Sequence, residues 1–218
     1  METENKKILI EGAASFGIYL VEKDIEGFDL YLQELLKWNR KINLTAIRTE
    51  RGVILKHFLD SLSAYPYLPH ASTLLDIGSG AGFPGIPLKM VKPSLEIALI
   101  DSVRKKVDFQ RHIIRKLGLK RIEAIHGRFQ DRTILKCLEG RFGIIISRAL
   151  PDLRNLLVLS FPFLKKGGWV IAMKGRDGDK EIRFFTETKG IQFRLQKTIS
   201  FVLPFSSFKR TILLFEKV

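Results

Sequence analysis

The fold is decided by Leu74-Leu-Asp-Ile-Gly-Ser-Gly-Ala-Gly-Phe-Pro-Gly-Ile-Pro-Leu88, in which a short apolar run leads through an acid into four glycines. Glycine allows the backbone to turn tightly after a buried strand, and it leaves room for a ligand to approach the main chain. A helix that follows such a turn directs its unpaired N–H groups and the positive end of its dipole at that ligand. The stretch therefore predicts a strand, a ligand-binding turn and a helix.

Two acids flank the glycines. Asp76 stands two residues before Gly78, and Asp101 ends the next apolar run of the chain. An acid at the second position, about 20 residues past such a turn, can accept hydrogen bonds from both hydroxyls of a ribose. Either acid could instead cap a neighbouring helix. The spacing favours a ligand that carries a nucleoside.

Two classes of nucleoside ligand fit this turn. Gly80-Ala-Gly-Phe-Pro-Gly85 matches the G-x-G-x-x-G pattern of nicotinamide-dinucleotide enzymes. However, the glycine series begins two residues earlier, and Phe83-Pro84 makes the turn bulky where a pyrophosphate would have to lie. An acid two residues before G-x-G-x-G resembles motif I of class I methyltransferases, in which the acid helps to place the amino-acid end of S-adenosylmethionine. The pattern favours S-adenosylmethionine over a dinucleotide, and a purely structural glycine loop is the remaining alternative.

The chain around this stretch divides near residue 70. Residues 1–70 show helical periodicity and predict a helical extension, whereas apolar strands alternate with helical segments in residues 71–218, the predicted cofactor-binding domain. Such alternation predicts parallel strands with right-handed crossovers, and the last two strands follow each other closely enough to form an antiparallel pair. The predicted fold is therefore α/β: a Rossmann-like class I methyltransferase with a mostly parallel, doubly wound sheet, an antiparallel C-terminal edge and an N-terminal helical extension. The predicted helices are Ile8–Val21, one N-capped by Asp24, Glu50–Tyr65, Val103–Leu117 with Gly118 as its C-terminal glycine, and Leu153–Leu164; the predicted strands are Thr73–Ile77, Glu96–Ile100, Arg121–Ile125, Phe142–Ser147, Trp169–Met173, Ile191–Val202 and Arg210–Lys217.

Charge is distributed unevenly along the chain. The first 100 residues contain 11 Lys and Arg against 12 Asp and Glu, whereas the remaining 118 contain 26 against 11. A basic half beside a near-neutral half indicates a polyanionic partner, although a solubilising surface is the alternative. Arg104-Lys-Lys106 and Lys174-Gly-Arg176 are the candidate phosphate contacts.

The motifs that the sequence lacks narrow the range of atoms that could accept the methyl group. Methylation of an exocyclic amine commonly uses an (Asn/Asp/Ser)-Pro-Pro-(Tyr/Phe) motif after the fourth strand, but this chain has Ile146-Ser-Arg-Ala-Leu-Pro151 there. Methylation at carbon 5 of a pyrimidine needs a thiolate, and the single cysteine, Cys137, lies in what resembles an ordinary amphipathic helical turn. A ring nitrogen such as guanine N7 already has a lone pair and needs only positioning. The sequence is compatible with that chemistry but does not prove it.

An ordered set of motifs resembles a known family. Trp38-Asn-Arg-Lys-Ile-Asn-Leu-Thr45, His57-Phe-Leu-Asp-Ser61, the Asp76–Leu88 loop, Leu99-Ile-Asp-Ser102, Ser147-Arg-Ala149 and Met173-Lys-Gly175 occur in the order and at the spacings of the bacterial RsmG (GidB) family. The resemblance covers roughly residues 20–180. It implies methylation of N7 of a guanosine in 16S ribosomal RNA, with S-adenosylmethionine as the cofactor.

The loop and the resemblance together nominate the site residues. The resemblance places cofactor contacts on Gly78, Phe83, Phe129, Gln130 and Arg148; Gln130 keeps the hydrogen-bonding reach of the glutamate common there but lacks its charge. The loop pattern adds Asp76, Gly80, Gly82, Asp101 and Ser102. Placement nominates Arg148, Lys174, Asn39 and His57 as the catalytic residues, while a surface charge, a helix C-terminus near Asn43 and a structural histidine are the alternatives.

The expected partner is 16S ribosomal RNA, either naked or in a small ribosomal subunit or an assembly intermediate. Neither a long apolar segment nor a signal peptide is found, and no set of side chains has metal-ligand spacing, so we expect a cytoplasmic monomer that uses no membrane and no metal. A methyltransferase acting on protein or a small molecule, and an RNA-binding protein that binds the cofactor without turnover, are the alternatives.

Overall fold

A computed structural model of the chain describes residues 1–69, 73–128, 130–148, 152–175 and 192–218. Within these ranges the strands are β1 (Thr73–Ile77), β2 (Glu96–Asp101), β3 (Ile122–His126), β4 (Phe142–Ser147), β5 (Leu164–Lys174), β6 (Phe193–Val202) and β7 (Lys209–Lys217). They form one sheet in the order β3-β2-β1-β4-β5-β7-β6. The first five strands pair in parallel, and β7 runs antiparallel to both β5 and β6. The predicted mostly parallel sheet with an antiparallel C-terminal edge is confirmed.

The helices lie on both faces of this sheet. They are α1 (Thr3–Ala14), α2 (Glu22–Ile42), α3 (Glu50–Val53), α4 (Asp60–Leu62), α5 (Gly85–Val91), α6 (Arg104–Lys116), α7 (Arg132–Leu138) and α8 (Leu153–Ser160). A π-helical turn, Ile54–Leu59, joins α3 to α4. Short 3₁₀ turns occupy Tyr65–Tyr67 and Phe161–Phe163.

Two apolar clusters enclose the sheet, because alternate strand residues point to opposite faces. One cluster joins α1, α2, the helical segment 50–62 and α6 to strand residues such as Leu99 and Ile146. The other joins α7 and α8 to residues such as Ile100 and Ile145. The helical extension thus covers one face of the sheet through a continuous buried cluster, and the domain boundary near residue 70 stays a prediction.

The first two predicted helices were wrong at their ends. The helix predicted at Ile8–Val21 runs from Thr3 to Ala14, because Gly17 adopts a left-handed φ of 76° and the N–H of Ile18 bonds back to the Ala13 carbonyl. Asp24 is not the N-cap of α2, since the helix begins at Glu22. Its carboxylate instead accepts the N–H of Val21 at 3.0 Å, the reciprocal half of a capping box.

Other boundaries differ by smaller amounts. The helix predicted at Leu153–Leu164 ends at Ser160, since Pro162 cannot donate to the preceding turn, and β5 begins at Leu164 instead of Trp169. The helix predicted over Glu50–Tyr65 ends at Leu62 and contains the π-helical turn. Ile191, predicted to open β6, lies outside the described residues.

Candidate active site at the carboxyl edge of the sheet

The parallel strands end along one edge of the sheet, where doubly wound folds bind their ligands. The glycine turn follows β1, Asp101 is the last residue of β2, and Arg148 directly follows β4. Three stretches that lie far apart in the sequence therefore lie at this one edge.

Asp76 connects the start of the glycine turn to the helix that follows it. It is fully buried, and its Oδ2 atom accepts the N–H of Gly85, the first residue of α5, at 2.8 Å. Its Oδ1 atom has no hydrogen-bond partner among the described residues. Burial raises the pKa of Asp76 to about 7, against the opposing effect of the Gly85 hydrogen bond. The acid thus serves as a helix cap through one oxygen and retains a free acceptor on the other.

Asp101 and Gln110 hold the other side of the turn. The carboxylate of Asp101 accepts the N–H of Gly80 and the N–H of Val103, each at 2.8 Å. Gln110, on α6, donates to the Ser79 hydroxyl at 2.8 Å and to the Gly80 carbonyl at 2.7 Å. Gln110 was not predicted from the sequence. The signal that could have found it is that Gln110 is a polar residue within a row of apolar residues spaced three apart along α6.

A cavity of about 340 Å³ opens beside this turn and is here called the glycine-loop cavity. Its lining includes four predicted cofactor residues, Gly78, Asp101, Ser102 and Gln130, together with Ile100, Gly127 and Arg128. Phe129 lies outside the described residues, so its predicted contact cannot be placed here. The structure therefore brings four of the ten predicted cofactor contacts to one cavity.

The donor and acceptor groups here fit S-adenosylmethionine. The Asp101 carboxylate lines the cavity and suits ribose hydroxyls, since each oxygen retains a second lone pair. The unpartnered Oδ1 atom of Asp76 is buried beneath the turn, and its contact with the ammonium group of the cofactor stays a prediction. A Cβ placed on Gly80 would meet nothing within 4 Å, so the main chain there borders open space.

Phe83 occupies a different place from the one expected of a cofactor contact. Its ring is buried between two others, stacked on Tyr31 at 5.3 Å and on His57 at 4.4 Å between ring centroids. Tyr31 also donates its hydroxyl to the Ala81 carbonyl at 2.6 Å. The side chain of Phe83 therefore ties the glycine turn to the helical extension, and a direct contact with the cofactor stays a prediction.

His57 lies in the π-helical turn, a helix irregularity that is common at functional sites. Its Nδ1 atom lies 3.0 Å from an Nη atom of Arg148, and its Nε2 atom lies 2.8 Å from the Thr45 hydroxyl. Since a guanidinium can only donate, Nδ1 is the acceptor and Nε2 carries the proton. Burial, followed by the charge of Arg148, lowers the pKa of His57 to about 3. The imidazole is therefore neutral and positions Arg148.

Arg148 also bonds to the helical segment that carries His57. It donates to the Lys56 carbonyl at 3.0 Å and to Oδ2 of Asp60 at 3.2 Å. Asp60 is only 3% exposed, and its Oδ1 atom accepts Nε of Arg210 at 2.6 Å. One buried carboxylate thus bridges two arginines from β7 and from the end of β4.

These groups border a second cavity of about 360 Å³, here called the arginine cavity. Arg148, Arg210, Lys56 and Lys174 line it with Asp60, and Ile47, Met173 and Gly175 complete the lining. The predicted residues Arg148 and Lys174 meet there. Sequence reasoning missed Asp60 and Arg210 as site residues; the motif that contains Asp60 was visible, but its partner lies 150 residues away.

Asn39 is engaged with the main chain of the loop that follows α2. Its Nδ2 atom donates to the carbonyls of Thr45 and Ile47, and its Oδ1 atom accepts the N–H of Thr45 at 2.9 Å. Asn43, one helical turn after Asn39, ends α2 in the left-handed conformation. Asn39 therefore positions Thr45 and, through it, His57; a catalytic role for Asn39 stays a prediction.

Arg104, Lys105 and Cys137 are exposed, whereas Lys174 is buried at the end of β5. Arg104 pairs with Asp108 on the same helix at 3.3 Å, and Arg176 lies outside the described residues. Cys137 is in helix α7, as the helical pattern indicated, but it is exposed and not a buried apolar residue.

The described residues contain neither a membrane-spanning helix nor a metal-ligand cluster. In the portion of the chain that the structure describes, no helix is both long enough and apolar enough to span a bilayer. The same residues contain no group of three or more His, Cys, Asp or Glu arranged to hold a metal ion.

Comparison with known proteins assigns the family. The family model described as GidB, rRNA small subunit methyltransferase G, matches residues 24–207. The chain belongs to this family. The ribosomal RNA small subunit methyltransferase G of Geotalea uraniireducens (strain Rf4) is 41% identical over 222 residues, covering 100% of this chain and 99% of the relative. That of Geobacter sulfurreducens is 43% identical over 209 residues, covering 94% of each chain.

Solved structures agree on the fold. A crystal structure described as a SAM-dependent methyltransferase from Aquifex aeolicus aligns with a TM-score of 0.60, covering 76% of this chain and 93% of the other at 17% identity. As a member of the methyltransferase G family, the chain is an S-adenosylmethionine-dependent methyltransferase with a Rossmann-like fold. The prediction of the cofactor from the glycine turn is thereby confirmed, and the dinucleotide alternative is wrong.

Proposed function

We propose that this chain transfers the methyl group of S-adenosylmethionine to N7 of a guanosine in the RNA of the small ribosomal subunit. The observation that carries the proposal is the presence of two separate cavities at the carboxyl edge of one sheet in a member of the methyltransferase G family. One is bordered by the glycine turn and Asp101, and the other by arginines and lysines that suit a polyanionic acceptor.

Methylation of N7 requires no proton transfer by the protein. When bound, S-adenosylmethionine supplies an electrophilic methyl group, which the lone pair of N7 can attack in line without prior loss of a proton. The chain therefore needs positioning and not a general base. Its buried histidine is suited to that task, because His57 is neutral and both of its ring nitrogens bond to protein groups.

The predicted residues divide between the two ligands. Asp76 would accept from the ammonium of the cofactor, and Asp101 would accept from its ribose. Lys174 and Arg148 would face the acceptor, and Arg148 is also the contact with the cofactor that the family resemblance implies. His57 and Asn39 would hold Arg148 and the Thr45 loop in place. These roles rest on placement and hydrogen bonding at the sheet edge.

Transfer of radiolabel from S-adenosylmethionine tests the proposal. The acceptors are naked small-subunit RNA and small subunits, both from a strain that lacks the modification, with a protein extract and a small-molecule extract in parallel. We expect label in one of the two RNA acceptors. Label confined to protein or small molecules would instead identify another methyltransferase, and cofactor binding without any transfer would indicate an RNA-binding protein.

The Asp101→Ala variant tests the cofactor assignment separately. We expect it to weaken S-adenosylmethionine binding in calorimetry, since both carboxylate oxygens at the ribose position are removed. Unchanged affinity would refute the role of Asp101 without affecting the assignment of the acceptor.

Sedimentation of the purified protein tests the expectation that it is a monomer.

A further inference from the structure

The arginine cavity contains more cationic groups than its carboxylate can neutralise. Arg148 and Arg210 both bond to Asp60, so two guanidinium charges share one carboxylate. Each arginine side chain is 22% exposed, and Asp60 is 4% exposed. Cations held together in a partly enclosed space repel one another unless an anion joins them. The pair is therefore preorganised for an anionic ligand.

Each guanidinium retains donors for such a ligand. A guanidinium has five N–H donors in a planar fork. Arg148 uses three of them, on the Lys56 carbonyl, Asp60 and His57. Arg210 also uses three, two on Asp60 and one on the Lys209 carbonyl. Within the described residues, two donors on each side chain have no partner, which suits the several oxygens of a phosphate group.

Lys56 and Phe208 extend this arrangement. The Lys56 ammonium lies 4.6 Å from the centre of the Phe208 ring, and the Arg210 guanidinium lies 5.9 Å from the same centre. Attraction to the ring face holds both cations near the cavity without neutralising them. Among the described residues no carboxylate forms an ion pair with Lys56, so its charge remains available to a ligand.

We propose that the arginine cavity binds a phosphodiester group of the acceptor RNA strand through Arg210, Arg148 and Lys56, and that Asp60 is the positioning residue that aligns the two arginines. The inference rests on the proposed function, because the acceptor supplies the phosphate. The carboxylate of S-adenosylmethionine is a second anion that this chemistry could hold. The phosphate is favoured because the arginine cavity and the glycine-loop cavity share no lining residue.

Arg210→Ala tests the phosphate contact against a matched control, Arg141→Ala. Arg141 immediately precedes β4, at the opposite edge of the sheet from Arg148, and its removal changes the net charge equally. We expect Arg210→Ala to weaken binding of small-subunit RNA by roughly tenfold, since hydrogen bonds to a charged group are lost. The slope of log affinity against log salt should fall by about 1. Arg141→Ala should leave both quantities at wild-type values. Lys56→Ala, which removes an exposed side chain, should lower the slope in the same way as Arg210→Ala.

Asp60→Asn separates positioning from charge. The substitution adds one positive charge to the cavity, so charge alone would strengthen RNA binding. Loss of alignment predicts the opposite, a weaker affinity with an undiminished salt slope. Thermal unfolding of each variant establishes that it is folded at the assay temperature.

Four outcomes would overturn the inference. They are unchanged RNA binding in both Arg210→Ala and Lys56→Ala, stronger RNA binding in Asp60→Asn, an equal effect of Arg141→Ala, and loss of S-adenosylmethionine affinity with RNA binding intact. The last would assign the cavity to the cofactor carboxylate. If the wild-type protein methylates RNA, these results refute the phosphate site alone; if it neither binds nor methylates RNA, the proposed function falls with it.

Discussion

If the unpartnered carboxylate oxygen of Asp76 accepts from the ammonium group of S-adenosylmethionine, as we propose, cofactor binding depends on pH. With a pKa of about 7, the carboxyl of the free protein is largely protonated at pH 5.5. An ammonium group favours the ionised form, so binding at low pH must release a proton, and affinity for S-adenosylmethionine rises as pH approaches 7. We expect about a tenfold gain between pH 5.5 and 7, a range in which an α-amino group stays charged.

Calorimetry in buffers of different ionisation enthalpy measures that proton release directly. The Asp76→Asn variant removes the titrating group while keeping an oxygen for the Gly85 N–H. Its affinity is therefore expected to be lower and independent of pH over the same range. An identical pH dependence in the two proteins would mean that another group titrates.

His57 makes the protein sensitive to acid. A histidine whose pKa is near 3 in the folded protein stays neutral there, whereas in the unfolded chain it takes up a proton below about 6.5. The unfolded state therefore gains stability as pH falls. Lowering the pH from 7 to 5 is expected to reduce the free energy of unfolding by about 2 kcal/mol through this residue. Below pH 6.5 the free energy of unfolding falls by about 1.4 kcal/mol for each pH unit.

Urea denaturation at the two pH values tests this dependence against a matched variant. His57→Gln retains polar atoms but does not titrate, so the loss of stability on acidification should be smaller by about that amount. Equal losses of stability in the two proteins would show that His57 takes up a proton in the folded protein over the same pH range.

Sequence reasoning went further for residues that share one motif than for residues that meet across the fold. Asp76 and Asp101 are recognisable because both lie at fixed distances from the glycines. Arg210 was missed because its partner is fixed by strand register: β7 pairs with β5 so that Thr211 lies opposite Lys174, which brings Arg210 to the cavity. No spacing along the chain contains that information.

The glycine turn contains two positions that differ in what surrounds them. Both Gly80 and Gly82 have positive φ angles, so alanine is strained at either by roughly 1–2 kcal/mol. A Cβ on Gly82 would also lie 2.4 Å from Ile86 Cδ1 and 2.8 Å from the Tyr31 hydroxyl, whereas one on Gly80 meets nothing within 4 Å. We expect Gly82→Ala to be less stable than Gly80→Ala by a further 1–3 kcal/mol or so, as for overpacked cores.

Thermal and urea unfolding of these two single variants makes that comparison. Because the substitution is the same, the difference reports the crowding of Gly82 by Ile86 of α5 and Tyr31 of α2. Equal stabilities would show that Tyr31 and Ile86 move aside at little cost, and that the turn is less tightly attached to the helical extension than the Phe83 stack implies.

The type and order of the elements followed from periodicity, but several ends did not. A left-handed glycine stopped α1 early, and a proline moved the boundary between α8 and β5. The π-helical turn that carries His57 has no signature in apolar spacing, because one inserted residue shifts the register only locally. Helix ends depend on individual hydrogen bonds, whereas the sheet depends on the pattern of many residues.

Across the whole molecule, the uneven charge of the sequence and the two cavities of the fold point to the same arrangement. The basic C-terminal half contributes Arg148, Lys174 and Arg210 to the arginine cavity, while the near-neutral half contributes Asp60 and the buried histidine that hold two of them. The helical extension is thus part of the site. Membership in the methyltransferase G family accounts for the cofactor side, and the position of the transferred methyl group is the claim that most needs a test.

Nucleoside mass spectrometry of the methylated RNA tests that claim most directly. Small-subunit RNA from a strain that lacks the modification is incubated with the protein and deuterated S-adenosylmethionine, then digested and mapped. We predict one deuterated 7-methylguanosine at a single position, and less of it with the Asp101→Ala variant at the same subsaturating cofactor concentration. Deuterium in any other nucleoside, or in none, would contradict the proposed guanine-N7 activity.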